Sequence, residues 1–437
     1  MSFRPPAEIL AGLERLGVRL GLAPLRALLG HLGNPEHGLS SILIAGTNGK
    51  GSTAAMIASV ARSAGLRTGL YTSPHLERVE ERIRIGGTPI DSALLGAALE
   101  RVLGAVRAAG LETPTYFEAA TAAAFLVFAE ARVELAVLEV GLGGRLDATN
   151  LSDPRVSVVT SIALDHTEWL GETLAAVARE KAGVLRSGRP VVLGPQEPEA
   201  ERALLDAARE IGARPSRALE RARVLAVETL GLAGSRLEVE LDGARLAVDL
   251  PLAGAHQVDN AAVAIAAAAT LADSGLVALD RHAIRHGLAA VRWPGRLESL
   301  TPPGAPATVL LDAAHNPHGV SALARFLASL GRRYVLVFGA LADKDFAHML
   351  PPLAGRASAL VLTRPDSPRA LDPARLLALL PDRGLARVEA EPAAALGTAL
   401  GLAAATGVDL VVVAGSIYLV AAVRRELARL GAPGARD

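Results

Sequence analysis

The chain has 437 residues, a formal net charge of zero, 51% hydrophobic and 21% charged residues and no cysteine. That length allows two or three domains with their own cores, and the missing cysteine excludes disulfides, thiolate metal sites and cysteine nucleophiles. There is no basic block to supply the counterion release that nucleic-acid binding draws on, no signal-peptide core in MSFRPPAEIL, and the alanine-rich run 261–272 is too short to span a bilayer. A cytoplasmic protein without nucleic-acid or membrane partners is expected.

From residue 40, short apolar β-rich runs alternate with longer helical stretches, the pattern of βαβ units and a mainly parallel sheet. Strands are expected at 42–45, 68–71, 135–140, 156–162 and 190–193, with a helix over 174–185. Residues 236–241 and 244–250 flank Asp242-Gly243 and read as a β-hairpin beside the main sheet. A helix follows over 256–272, and the breakers Trp293-Pro294-Gly295 and Thr301-Pro302-Pro303-Gly304 put a domain boundary near 297, giving domains 1–297 and 298–437. Beyond it the alternation restarts with strands at 308–311, 334–338, 359–363 and 410–413, a second and smaller α/β domain.

The first strand runs into Gly46-Thr47-Asn48-Gly49-Lys50-Gly51-Ser52, after which a helix begins. A glycine-rich loop between strand and helix turns backbone N–H groups toward one point, where the helix N-terminus adds positive potential and Lys50 can reach phosphates. The loop reads as a nucleotide triphosphate site, although it departs from GxxxxGK[ST]: Ile44 stands at the first glycine and Gly51 separates Lys50 from Ser52. Glu139 lies at the end of an apolar strand, where open α/β sheets bind ligands, and a carboxylate there suits Mg²⁺ bridging ATP phosphates. A simple pair with Arg145 is the alternative. Asp165-His166 follows the next strand in the same way.

Only three lysines occur, Lys50, Lys181 and Lys344, the other basic residues being arginine. Such a bias implies that lysine is kept where guanidinium cannot replace an amine. Lys181, in Arg179-Glu180-Lys181-Ala182-Gly183, would be repelled by a nearby Mg²⁺ unless shielded, neutral or modified. A surface pair with a glutamate is the plain alternative. Lys344, between Asp343 and Asp345, receives no role.

The strings GTNGKGS, LEVGLGGRLDATN, LDHTEWLG, REKAG, HQVDNAA, WPGRLE and LDAAHNP, in this order, resemble the Mur ligase family. TSPHL (72–76) and TYFE (115–118) resemble its folylpolyglutamate and dihydrofolate synthases more than its cell-wall members. The resemblance implies a P-loop domain and a Rossmann-like domain closing over ATP, a dihydropteroate or folate, and L-glutamate. ATP would phosphorylate the substrate carboxylate, and the amine of glutamate would displace phosphate.

Carried over residue by residue, Thr47, Asn48, Gly49, Lys50 and Gly51 hold the phosphates, with Ser52 as an added contact. Asn260 contacts adenine, Arg296 the phosphates and Asp312 the ribose, while His315 points toward the closing site. Ser73, Glu139 and His166 ligate Mg²⁺, and Lys181 corresponds to an N-carboxylated lysine supporting a second Mg²⁺, a carbamate that arginine does not form. The pterin contacts map to Leu20, Gly21 and Leu22, to Thr115, Tyr116, Phe117 and Glu118, and to Leu146, Asp147 and Ala148; Phe117 can lie against a flat ring.

Two other readings compete. A cell-wall ligase would need a uridine-binding domain ahead of the P-loop, for which little chain precedes residue 46, and a P-loop switch protein leaves TSPHL and TYFE unexplained. A monomer is expected, with no long apolar stripe on offer.

Overall fold

The computed structural model describes residues 4–435 apart from 15, 16, 18, 20 and 276–279. The first eight strands form one sheet: β1 (Ser41–Ala45), β2 (Thr68–Tyr71), β3 (Ile83–Ile85), β4 (Thr88–Pro89), β5 (Leu135–Glu139), β6 (Pro154–Val159), β7 (Pro190–Leu193) and β8 (Arg214–Arg217), in the order β4-β3-β2-β5-β1-β6-β7-β8. β2, β5, β1, β6, β7 and β8 run parallel, while β3 and β4 add antiparallel pairs at one edge. Every residue of β1 and β5 is buried, as expected of central strands covered by helices on both faces, whose sequence is a near-continuous apolar run with Ser41 and Glu139 at its ends.

β9 (Ala222–Thr229), β10 (Ser235–Leu241) and β11 (Ala244–Leu250) form a second sheet of three strands. The hairpin expected at Asp242-Gly243 is present, both residues carrying positive φ (48° and 76°), as a two-residue turn of type I′ requires. It pairs with β9 in a sheet of its own instead of extending the eight-stranded one. Its burial alternates along both strands, the mark of a sheet with one solvated face.

The third sheet contains β12 (Glu298–Leu300), β13 (Thr308–Leu311), β14 (Tyr334–Phe338), β15 (Ala357–Thr363), β16 (Ala386–Glu389) and β17 (Leu410–Ala414), in the order β12-β13-β17-β14-β15-β16. All its pairs are parallel except β12 with β13.

The chain divides into two compact units. One comprises Met1–Glu228, Arg236–Pro251 and Gln257–Val291; the other comprises Thr229–Ser235, Leu252–His256 and Arg292–Asp437. In the first, Leu43, Leu138, Val159, Phe125 and Phe128 belong to a continuous apolar core; in the second, Leu310, Leu336, Phe338 and Val412 do the same. Among the described residues no helix is long and apolar enough to cross a membrane.

Candidate active site

The P-loop sits where the topology of a doubly wound sheet puts ligands, beyond the C-terminal ends of central strands. β1 is flanked by β5 on one side and β6 on the other, so the loop has Glu139 to one side and the segment after β6 to the other. Gly46 has φ of 145° and a Cβ there would lie 1.9 Å from Thr160 Oγ1. Gly49, the left-handed residue before the helix Lys50–Ser63, would place a Cβ 2.3 Å from Asn260 Oδ1. Both positions therefore admit only glycine.

Neighbouring backbone fixes the rest of the loop. Thr47 N donates to Ser161 O at 2.8 Å, Thr47 Oγ1 donates to Ala163 O and accepts from Ala163 N, both at 3.0 Å, and Thr160 Oγ1 donates to Asn48 O at 2.8 Å. Lys50 Nζ folds back to Thr47 O at 3.1 Å. Ser52 is 3% exposed and accepts from Gln257 Nε2 at 3.2 Å, while Gln257 Oε1 accepts from Asn260 Nδ2 at 3.0 Å.

Lys181 ends the helix Leu174–Lys181, shorter than the stretch 174–185 because a 3₁₀ turn, Ala182–Val184, follows. Its side chain is not at the surface: it is 4% exposed and donates from Nζ to Gly46 O at 2.8 Å. Burial, then repulsion from Lys50, lower its pKa to about 7 against the pull of Asp165 and Asp147. The surface-pair alternative is excluded, and Glu180 pairs with Arg145 instead, Oε1 lying 2.9 Å from the guanidinium.

Glu139 is 5% exposed, and its Oε2 accepts from Ser73 N at 3.1 Å. Tyr71 of β2 stands opposite Leu138 of β5, which carries the loop after β2 to the end of β5. His166 has φ of 51° and opens the short helix Thr167–Leu170; its backbone N donates to Asp165 Oδ1 at 3.0 Å. Among the described residues no group of three or more His, Asp or Glu side chains is gathered for a metal ion, so any ion held here draws on mixed donors.

The residues that the resemblance assigns to a ring site fall into three places. Thr115 and Glu118 cap the helix Tyr116–Glu130 reciprocally: Thr115 N donates to Glu118 Oε2 at 2.7 Å and Glu118 N to Thr115 Oγ1 at 3.3 Å. Tyr116 and Phe117 stay half-buried, Phe117 6.0 Å from the Tyr71 ring centroid and Tyr116 beneath Arg82 at 4.9 Å. Asp147 is buried, and its oxygens accept from Gly141 N and Leu142 N, both at 2.9 Å, and from Thr149 N at 3.0 Å. Its carboxylate thus shapes the Gly141–Gly144 turn, with Leu146 half-buried and Ala148 buried beside it. Gly21 and Leu22 lie half-buried just before the helix Ala23–His31, and Leu20 falls outside the described residues.

In the second unit, Arg296 lies between Gly295 and Leu297, both left-handed with φ of 72° and 48°. Left-handed backbone is unusual for a leucine, and two carboxylates hold it: Asp312 Oδ2 accepts from Leu297 N at 3.0 Å and Glu298 Oε2 from Gly295 N at 2.8 Å. Arg424 donates to Glu298 at 3.1 Å in a nearly buried pair. Asp312 also accepts from Ala314 N at 2.9 Å, and burial raises its pKa against the pull of Arg296. His315 Nδ1 lies 2.9 Å from Ala313 O. Lys344 follows Asp343, which pairs with Arg369.

Thr160 and Arg424 drew no notice in the sequence, and Gln257 and Glu298 stood in the strings HQVDNAA and WPGRLE without a role of their own. Gln257 and Asn260 stand three apart on one helix, a spacing that makes side chains neighbours; the others are brought in only by tertiary packing.

Residues 44–268 match the Mur ligase middle domain, and 295–417 match the Mur ligase glutamate ligase domain. A probable bifunctional folylpolyglutamate synthase/dihydropteroate synthase of Halobacterium salinarum is 39% identical over 98% of this chain, which spans only 52% of that protein. The dihydrofolate synthase/folylpolyglutamate synthase of Bacillus subtilis is 38% identical over 82% of this chain and 84% of its own length. The structure of Mycobacterium tuberculosis folylpolyglutamate synthase complexed with ADP and AMPPCP is 36% identical and superposes with a TM-score of 0.87, covering 97% of this chain and 99% of that one. The chain belongs to the Mur ligase family, and these relatives carry the names of folylpolyglutamate and dihydrofolate synthases.

Proposed function

We propose that this chain is an ATP-dependent ligase that joins the amine of L-glutamate to the carboxylate of a dihydropteroate, a reduced folate or both. The observation that carries the reading is Lys181, buried against the P-loop carbonyl of Gly46 with a pKa near 7. A P-loop switch has no use for an amine kept close to neutrality beside its phosphate cradle, whereas the ligase reading gives it one. The two family matches and the nucleotide-bound M. tuberculosis relative support the same conclusion.

The loop amides of residues 48–51 and the positive end of the helix Lys50–Ser63 would receive the β- and γ-phosphates, with Thr47 anchoring the loop to Ser161 and Ala163 and Lys50 leaving Thr47 O to neutralise them. The substrate carboxylate attacks the γ-phosphorus, the bond to the ADP oxygen breaks, and an acyl phosphate results. Such a transfer needs positioning and charge neutralisation more than proton transfer. The neutral amine of glutamate then adds to the acyl carbon, phosphate leaves with the bonding pair, and the amine loses its proton as the amide forms.

The donors present fit Mg²⁺: the Glu139 carboxylate and Ser73 hydroxyl would serve as oxygen ligands, and His166 would be the less usual partner. Mg²⁺ would supply charge neutralisation on the transferring phosphoryl group. Lys181 near pH 7 exists partly as free amine, the form that adds CO₂, so a carbamate there is chemically accessible. Tyr116 and Phe117, with Gly21, Leu22 and the 146–148 turn, would line the ring site, while Asn260, Arg296 and Asp312 would contact adenine, phosphate and ribose and His315 would face the reacting groups. We place the enzyme in the cytoplasm as a monomer.

The test supplies ATP, Mg²⁺, L-glutamate and either dihydropteroate or tetrahydrofolate, following phosphate release and product mass. A product heavier by one glutamyl residue is expected with at least one acceptor. Acceptor-independent ATP hydrolysis with no ligated product would overturn the proposal.

A further inference from the structure

Ser52 and Asn260 belong to two helices, Lys50–Ser63 and Ala255–Asp273, and a third side chain joins them. Gln257 is 1% exposed and spans the pair, Nε2 at 3.2 Å from Ser52 Oγ and Oε1 at 3.0 Å from Asn260 Nδ2. A carboxamide has one donor end and one acceptor end. If Gln257 gives its N–H to the hydroxyl, only its oxygen is left for Asn260, which must answer with its NH₂. The Asn260 oxygen then turns the other way, and it does lie on the loop side, 2.3 Å from where a Cβ would stand on Gly49.

The reverse arrangement would aim an NH₂ at that same place. Gly49 immediately precedes the helix Lys50–Ser63, where orphan amides and the helix dipole favour an oxygen over a second donor. The Ser52 hydroxyl serves either orientation, so the loop end of the relay sets it, and burial removes the water that would otherwise let either amide turn.

We propose that Gln257 is a positioning residue that holds Asn260 as a hydrogen-bond acceptor toward the bound nucleotide, and so selects a purine carrying a 6-amino donor over one carrying a 6-oxo group. The inference rests on the reading above that Asn260 contacts the base. A site that must accept a hydrogen bond rejects an analogue offering a second acceptor, because two oxygens then face one another without a proton.

The test compares wild type, Gln257→Leu and Gln257→Glu as full chains. It measures kcat and KM with ATP and with inosine triphosphate, ADP binding by calorimetry, and melting temperature. Glutamate accepts from both Ser52 and Asn260, so it keeps the Asn260 orientation; leucine frees it. Wild type and Gln257→Glu should prefer ATP by roughly tenfold or more. Gln257→Leu should lose most of that preference through a raised KM for ATP, with kcat little changed. A merely structural role would lower both nucleotides' rates together. Should Gln257→Leu fail to fold, Gln257→Met carries the same comparison. Unchanged discrimination in the apolar variant, or equal loss in Gln257→Glu, overturns the inference. Wild type that binds no ADP overturns instead the nucleotide reading beneath it, and that measurement comes first.

Discussion

Replacing Lys181 with methionine keeps a long apolar stem in the same space and removes the titrating amine. Burial and Lys50 take this amine from 10.5 to about 7 in the folded chain. The sign follows from proton counting: between those two values the unfolded chain binds a proton at this site that the folded chain has released, so stability rises with pH across the window and the full penalty is present below it. The whole shift corresponds to about 5 kcal/mol, of which about 3 kcal/mol falls between pH 6 and pH 9. Urea denaturation of wild type and Lys181→Met in CO₂-free buffer, followed by circular dichroism, reads the difference. The variant should be the more stable at pH 6, and its advantage should shrink by about 3 kcal/mol by pH 9. Stability curves that run parallel from pH 6 to 9 would refute a buried, near-neutral amine. Added bicarbonate at pH 8 should stabilise wild type and leave Lys181→Met unmoved.

Activity gives a second handle on the same residue: Lys181→Ala should lose most turnover, with partial recovery on adding a short carboxylate, and near-normal turnover would remove the residue from the site. Gly46→Ala should abolish nucleotide binding because its Cβ meets Thr160 at 1.9 Å, whereas Gly65→Ala, also left-handed but with nothing within 4 Å, should cost only the backbone strain, about 1 kcal/mol in a thermal melt. Arg424→Met strands Glu298 in a nearly buried place and should destabilise by about 3–5 kcal/mol, while the double change with Glu298→Gln should recover much of it. His256 is held to about 4 by burial and then by Arg296, Arg325 and His318. Its contribution to stability is present above the ordinary histidine range and is lost as pH falls toward 4, so His256→Gln should flatten acid unfolding between pH 6.5 and 4 by up to about 3 kcal/mol.

Central strands were readable because each is an apolar run, broken in β5 only by its last residue, Glu139: Leu135–Glu139 and Leu410–Ala414 are buried throughout, and no helix-period pattern competes. Edge strands gave no such signal. β8 is Arg-Pro-Ser-Arg, mostly exposed, and β3, β4, β12 and β16 are two to four residues long, so their pairing is decided by the neighbour each meets. β9 passed unnoticed for the same reason, exposed along most of its length, and with it the separate sheet that the hairpin joins.

The sequence by itself determined the α/β alternation, the strand-loop-helix cradle at 46–52 and, through the scarcity of lysine, which amines to watch. These are local facts: periodicity, glycine placement and residue choice need no partner across the chain. What became of Lys181 was decided only by tertiary structure, since its burial and its 2.8 Å bond to Gly46 O, a residue more than a hundred positions away, exist only once the chain has folded. The same holds for Glu139 beside Ser73, and for Gln257 bridging Ser52 and Asn260. Spacing can bring two residues onto one helix face, but which way a carboxamide turns depends on what the fold sets against its far end.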